Sequence, residues 1–398
     1  MDSRLAALAR RERMALPEFM RRVRAGTIVV LKHRRNPSAA CIGTGCTTKI
    51  NTNLGISLAS PLRLELEKLR IAEAHGSDTV MDLSTRDTIK TLSTIIAHSH
   101  VPVGSVPVYS CLGAGSEDNF IGAVEDHVKA GASFVTVHAG FLRQGMRHAH
   151  HRITKIVSRG GAILAQYMHE TGKENPLYTN FDTILDFMRG TGCAISLGDA
   201  LRPGCIADAH DRAQLHELKV QGELVKRARA AGVPVFCEGP GHMPLDLIAA
   251  NVQLQKKLCH NAPYYVLGPL TTDCALGDDD VSSAIGGAIA AAAGVDFLCV
   301  VSPQEHYSLP TLEGVRDGVI AAKVAAHSGD IVKLPWTREQ DLKMSKARYT
   351  LDWTKQLRHS LTNRNVRSRN GSPCSMCLKF CPMDLMRKLD CSRKTKKA

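Results

Sequence analysis

The stretch Ala194-Ile-Ser-Leu-Gly-Asp199, then Leu215-His-Glu-Leu-Lys-Val-Gln-Gly-Glu-Leu-Val-Lys-Arg-Ala228, then Val233-Pro-Val-Phe-Cys-Glu238, decides the fold. The outer pieces are short, apolar and end on a carboxylate, whereas the middle piece is amphipathic and rich in helix formers. Strand, helix, strand in that order builds a βαβ unit and a parallel pair. The pattern recurs at roughly 30-residue spacing from residue 78 onward. Further strand candidates cover residues 79–84, 101–109, 134–138, 162–167, 264–268 and 296–302, with an Ala-rich helix over 282–294. Eight such units predict a closed (β/α)8 barrel, and a doubly wound open sheet competes with it on pattern alone.

The polar residues favour the barrel. Asp82, Tyr109, His138, Asp199, Glu238 and His306 each fall at or just after the C-terminal end of a strand candidate. In a barrel those ends converge on one mouth, so residues far apart in sequence face a common site. The expected organisation is α/β: a small N-terminal cap over 1–77, a (β/α)8 TIM barrel over 78–335, and a C-terminal arm over 336–398. The cap holds a helix-like start and the strand-like Thr27-Ile-Val-Val-Leu31, and residues 362–370 read as a flexible tether.

Composition narrows the function classes. The net charge of +13 sits at the ends: residues 1–35 carry +7, residues 361–398 carry +8, and the body between them sums to −2. With 5% aromatic residues and no stacking pattern beside the charge, solvated basic ends fit better than a nucleic-acid surface. No apolar run reaches membrane-spanning length and no signal-peptide core follows Met1, so a cytoplasmic protein without a membrane partner is expected. Thirteen cysteines in such a chain read mostly as reduced thiols buried as small hydrophobes.

Three of those cysteines cluster in Cys374-Ser-Met-Cys377-Leu-Lys-Phe-Cys381. Three thiolates on a [4Fe–4S] cluster leave one iron open, where S-adenosylmethionine can bind and be cleaved to a radical. A structural zinc site would need a fourth ligand, for which Cys391 or His359 are the candidates. Elsewhere, Glu238-Gly-Pro-Gly-His242 follows a strand and brings a carboxylate and an imidazole together in a tight turn. Pro303-Gln-Glu-His306 adds a second imidazole, enough with His242 to hold zinc or iron completed by water or substrate. Asp199 and Arg202, three residues apart in a Gly-bounded loop, suit a ligand bearing hydroxyls and an anionic group. Ser158-Arg-Gly-Gly161 offers backbone N–H groups to a phosphate. An internal ion pair, an ordinary turn and hydrogen-bonded core histidines are the bland alternatives.

Taken together with Lys49-Ile-Asn-Thr-Asn-Leu-Gly55, Val80-Met-Asp-Leu-Ser-Thr85, Leu267-Gly-Pro-Leu-Thr-Thr-Asp273 and Met344-Ser-Lys-Ala-Arg348, these motifs resemble one family. It is the phosphomethylpyrimidine synthase (ThiC) family of thiamine biosynthesis, with its hydroxybenzimidazole synthase relatives; the motifs run in the family's order from about residue 20 to 383. The resemblance implies a radical S-adenosylmethionine lyase acting on 5-aminoimidazole ribotide. Its product would be 4-amino-5-hydroxymethyl-2-methylpyrimidine phosphate, or alternatively 5-hydroxybenzimidazole for cobamides. A homodimer, with the arm serving the partner's barrel mouth, and an electron donor such as flavodoxin or ferredoxin are implied as well.

Carried over by motif, Asn53, Met81, Tyr109, His138, Ser158, Gly160, Asp199, Arg202, Glu238 and Tyr265 would bind substrate, with Glu238, Asp199 and Arg202 catalytic. His242 and His306 would hold zinc (or iron), and Cys374, Cys377 and Cys381 the [4Fe–4S] cluster. The chain departs from the family in three ways. Its cysteines are spaced x2 then x3, where longer members have x2 then x4, and the long N-terminal domain of many bacterial members is missing, as in the short class. Gly277-Asp-Asp-Asp280 stands where the family has Gly-Tyr-Asp-His, which alters the charge of that loop.

Overall fold

The protein is described by a computed structural model covering residues 3–111, 116–362, 371–374 and 376–395, with side chains to residue 389. An antiparallel hairpin comes first, β1 (Ile28–Lys32) with β2 (Ala39–Gly43). Eight parallel strands follow: β3 (Lys49–Leu54), β4 (Thr79–Asp82), β5 (Val103–Ser105), β6 (Phe134–Val137), β7 (Ala194–Leu197), β8 (Val235–Gly239), β9 (Tyr264–Leu267) and β10 (Phe297–Cys299). They close into a barrel in that order, with β10 hydrogen-bonded back to β3. Both faces of these strands are covered, and most read as uninterrupted buried runs.

Two strand expectations are corrected. Residues 162–167 lie in the helix Arg159–Thr171. Their apolar run fits a strand, but the buried set Gly160, Gly161, Leu164, Tyr167 and Met168 follows helical spacing, Ser158 caps the first turn and Gly172 ends the last. The missing eighth strand is β3, so the barrel opens at Lys49 rather than at 78. Its sequence Lys-Ile-Asn-Thr-Asn-Leu hides the strand because Asn51 and Asn53 point into a polar barrel interior.

The N-terminal helices Ser3–Arg11 and Leu16–Arg24 pack on the hairpin around a small core of Leu8, Phe19, Ile28, Val30 and Cys41. A buried ion pair, Lys49 Nζ to Glu12 at 2.9 Å, joins this layer to the barrel floor. Above it the interior is aromatic. Phe134, Phe236, Phe297 and Tyr265 meet with ring centroids 4.4–6.3 Å apart. Gly104 on β5 makes room, since a Cβ there would sit 2.2 Å from the Phe134 ring. Outside, the helices Asp279–Ala293 and Leu312–Lys333 meet through Gly287, Ala291, Ala325 and Gly329.

The chain divides into two compact units, residues 1–333 and 334–398. The second contains the helices Arg338–Tyr349, Trp353–His359 and Pro382–Thr395. The expected tether lies, from residue 363 on, outside the described residues, as does the Cys391 side chain. Among the described residues no helix is long and apolar enough to cross a membrane. The nine cysteines of the first unit are thiols, and all but Cys274 are buried.

Candidate active site

A cavity of about 250 Å³ opens at the C-terminal ends of the barrel strands. Asn53, Met81, Tyr109, His138, Asp199, Arg202, Glu238 and Tyr265 all line it. Elements scattered over more than half the sequence thus deliver one polar wall. Strand alternation explains which residues arrive. On β6, β7 and β8 the inward positions are Phe134 and Thr136, Ser196, and Phe236 and Glu238, so an aromatic layer lies beneath a polar one. Asp82 is used differently: it accepts from the Ser84 N–H and hydroxyl, closing its own turn.

Glu238 is held from two strands. Its Oε1 accepts the Thr136 hydroxyl at 2.8 Å and the Ser196 hydroxyl at 2.6 Å. Burial, then the neighbouring Asp199 charge, pushes its carboxyl up to about 7. Asp199 is raised as well, by burial, against the pull of Arg202, whose Nη1 lies 2.9 Å from Oδ1. The two carboxyls raise each other's resistance to ionising, against the pull of the guanidinium. That makes Glu238 able to give or take a proton near neutral pH.

Behind this pair the helix Arg212–Ala230 supplies two supports. Gln221 Nε2 donates to the carbonyls of Leu197 and Gly198, which end β7. Glu217 Oε2 accepts the Leu201 N–H at 2.8 Å, fixing the loop that carries Asp199 and Arg202. Glu217 is fully enclosed, its Oε1 has no hydrogen-bond partner, and burial followed by the Asp199 charge pushes it up to about 8.

His138 stands between two glycines: a Cβ at Gly160 would come 2.5 Å from its ring, and one at Gly198 2.7 Å. Burial, reinforced by Arg202, lowers its imidazole to about 3, so the ring is neutral, and its Nδ1 is buried without a partner. An unsatisfied buried nitrogen next to a cavity is a place for a ligand to hydrogen-bond. Tyr109 sits on a 3-10 turn, Pro107–Cys111, with the Arg159 guanidinium 4.9 Å from its ring centroid. Ser158 and Gly160 do not line the cavity. The Ser158 hydroxyl accepts the Gly161 N–H, and Gly160 serves as the floor under His138.

His242 and His306 form a separate pair. Their Nε2 atoms face each other at 3.0 Å. Behind them, His242 Nδ1 lies 2.7 Å from Asp273 Oδ1 and His306 Nδ1 lies 2.9 Å from Asp279 Oδ1. A carboxylate only accepts, so each Nδ1 carries the proton and each Nε2 presents a lone pair. Two lone pairs at that distance repel unless a proton or a cation lies between them. Neutral imidazoles backed by carboxylates are the donor set of a zinc site. Asp279 belongs to the Gly277–Asp280 run, so the departure from the family pattern touches Asp278 and Asp280 and spares the group that holds His306.

In the second unit Cys377 precedes a 3-10 turn, Leu378–Phe380, and Cys381 precedes the helix Pro382–Thr395. Cys381 is buried, and Cys374 and Cys377 are half-exposed. Among the described residues no group of three or more His, Cys, Asp or Glu is assembled as a metal site, so the three cysteines are not gathered here, and only their donor type and sequence spacing suit a [4Fe–4S] cluster.

Several participants escaped the sequence reading: Thr136, Ser196, Arg159, Glu217, Asp273, Asp279, Cys299 and Glu305. Period-two alternation back from His138 and Glu238 would have exposed Thr136 and Phe236. No local signal marks Glu217, whose role depends on a helix packing behind a neighbouring strand end.

The sequence pattern of the radical SAM ThiC family matches residues 1–388. The phosphomethylpyrimidine synthase of Dehalococcoides mccartyi strain CBDB1 is 49% identical over 396 residues, covering 94% of this chain and 92% of that protein. That of Caldanaerobacter subterraneus subsp. tengcongensis is 48% identical over 367 residues (87% and 85%), and that of Moorella thermoacetica 45% over 403 residues (95% and 93%). Among solved structures, dihydropteroate synthase from Thermus thermophilus superposes with a TM-score of 0.42 at 16% identity, covering 76% of this chain and 98% of that one.

Proposed function

This chain belongs to the radical SAM ThiC family and is an enzyme of it, and from that premise we propose its reaction: rearrangement of 5-aminoimidazole ribotide to 4-amino-5-hydroxymethyl-2-methylpyrimidine phosphate. Family membership implies a [4Fe–4S] cluster and S-adenosylmethionine. When bound, these supply an electron and a 5′-deoxyadenosyl radical; everything else falls to the side chains. The observation that carries the reading is the meeting of Glu238 with the Asp199–Arg202 ion pair on the wall of a cavity of about 250 Å³.

In this reading Arg202 and Asp199 hold the ribose and aminoimidazole, and His138 Nδ1 donates or accepts one further hydrogen bond. Asn53, Met81, Tyr109 and Tyr265 complete the wall, and Ser158 and Gly160 act from behind it, the one capping its helix and the other backing the His138 ring. Glu238 holds the transferable proton, kept available near neutral pH by its enclosure, and the barrel wall excludes water from the radical. Cys374, Cys377 and Cys381 would ligate the cluster. His242 and His306 would ligate zinc (or iron), a charge that can orient and polarise a bound group. A cytoplasmic homodimer drawing electrons from a flavodoxin or ferredoxin completes the proposal.

The test is anaerobic incubation of the reconstituted protein with the ribotide, S-adenosylmethionine and dithionite, followed by mass spectrometry. The pyrimidine phosphate and 5′-deoxyadenosine are expected. A product at the 5-hydroxybenzimidazole mass, with no pyrimidine phosphate, would overturn the choice of product.

A further inference from the structure

A second, much smaller chamber of about 10 Å³ lies on the far side of the substrate-cavity wall. Asp199, Arg202 and Glu238 line both spaces, so these three side chains are the partition between them. Opposite the partition the helix Arg212–Ala230 presents Gln214, Glu217 and Gln221, and Tyr264 of β9 closes one side. All four are buried. A space of about 10–15 Å³ holds one water molecule, provided that two or more polar groups are there to bind it. Gln221 already directs its amide N–H groups at the carbonyls of Leu197, Gly198 and Glu238, and Gln214 Oε1 accepts the His210 N–H. Glu217 differs. Its Oε2 takes the Leu201 N–H, whereas no group among the described residues hydrogen-bonds its buried Oε1. A buried polar atom beside a polar cavity calls for a partner within it.

We propose that one water in this chamber joins Glu217 Oε1 to Glu238, making Glu217 a proton reserve one layer behind the substrate wall. Glu217 is then a positioning residue, since it reaches the substrate only through Glu238, and its role rests on the one given to Glu238 above. The transfer moves protons alone. When Glu238 gives its proton to the substrate, its carboxylate takes one from the water. The water in turn takes the Glu217 proton, and the negative charge comes to rest on Glu217. The reverse transfer refills Glu217 when Glu238 next takes a proton from the substrate cavity. The two acids suit this exchange, because burial and then the Asp199 charge bring Glu217 to about 8 and Glu238 to about 7. The charged groups facing Glu217 are Asp199, Arg202 and Glu238 across the chamber, and Arg152 beside Leu201. Both arginines are already paired, Arg202 with Asp199 and Arg152 with Asp211, so Glu217 keeps its proton.

The experiment has two arms. Infrared difference spectroscopy on the full chain, titrated from pH 5 to 9, follows the C=O stretch of protonated carboxyls, and Glu217→Gln identifies the Glu217 band as the one that disappears. In Glu238→Gln the neighbouring charge is gone, so the Glu217 band should fade at a pH lower by about one unit than in wild type. In the reconstituted enzyme, Glu217→Gln should lower kcat for pyrimidine phosphate about tenfold, less than the loss of a direct acid, and leave the ribotide KM unchanged. The fall in wild-type rate above about pH 8 should vanish in the variant. Glutamine still accepts the Leu201 N–H, so a merely structural Glu217 would leave kcat and its pH profile untouched. A Glu217 band that titrates identically in wild type and Glu238→Gln, or an unchanged kcat–pH profile in Glu217→Gln, overturns the reserve. Either failure leaves the ribotide reaction standing. Absence of the pyrimidine phosphate from wild type would overturn that reaction instead, and the infrared arm, which needs no turnover, would still judge the link.

Discussion

Glu217→Gln isolates a single buried proton. Glu217 is 3% exposed, accepts the Leu201 N–H through Oε2, and is pushed from its ordinary 4.5 up to about 8 by burial and then by Asp199. A carboxyl raised on folding binds more protons in the native state than in the unfolded chain between those two values. Stability from this group is therefore complete below about pH 4.5 and declines as pH rises toward 8. At about 1.36 kcal/mol per pH unit across that gap, the loss is on the order of 4 to 5 kcal/mol. Glutamine keeps an acceptor for Leu201 and cannot ionise. The variant should match wild type in urea midpoint at pH 5 and become progressively more stable than wild type toward pH 9. Glu238 and Asp82, which are also raised, remain in both proteins and cancel in the difference. Parallel midpoint-against-pH curves for the two proteins over pH 5 to 9 would refute the enclosed, protonated Glu217.

Other perturbations test the remaining parts. Asp279→Ala removes the acceptor that fixes the His306 tautomer and should weaken zinc retention roughly 10- to 100-fold in a chelator competition, with the barrel's circular dichroism unchanged. Equal zinc affinity in the variant would remove Asp279 from the metal site. Gly160→Ala places a methyl 2.5 Å from the His138 ring and should raise the KM for the ribotide at temperatures where the variant is still folded; an unchanged KM would mean His138 does not meet substrate. Gly104→Ala drives a Cβ to within 2.2 Å of Phe134 and should cost about 1–3 kcal/mol or more by urea titration, as overpacking does. Cys377→Ala should abolish 5′-deoxyadenosine formation while the 1–333 unit keeps its unfolding transition, because the thiol lies in the other compact unit. A fully active variant would end the cluster assignment.

The barrel was legible because most of its strands are short buried runs with a polar residue at the exit, a pattern that few other architectures produce. The exceptions share a cause. Residues 162–167 carry a composition that suits both periods, and only the Ser158 cap and Gly172 stop reveal the helix. β3 does not read as a strand because its inward positions are Asn51 and Asn53, polar since they serve the interior network with Tyr265 and Cys299 rather than an apolar core. The site followed the same logic. Residues at strand exits, such as Asp199 and Glu238, announce themselves. Those that hold them, Thr136, Ser196 and Glu217, look like ordinary strand and helix residues until the sheet closes. The Asp278 and Asp280 exchanges look serious in sequence, yet the carboxylate beside His306 is the Asp279 between them.

The seam between the helices Asp279–Ala293 and Leu312–Lys333 is built from glycine and alanine, so it has almost no rotamers to adjust. A Cβ added at Gly329 would meet Ala291 at 2.3 Å, and the only relief is to move a helix as a body. The moved helix begins at Asp279, roughly 18 Å away along its axis, and there it braces His306. In a saturation-mutagenesis map, Gly287, Ala291, Ala325 and Gly329 should therefore register as metal-loading positions, although none of them comes near the imidazoles. Bulky replacements there would be tolerated by the fold at permissive temperature and detected first as lost zinc.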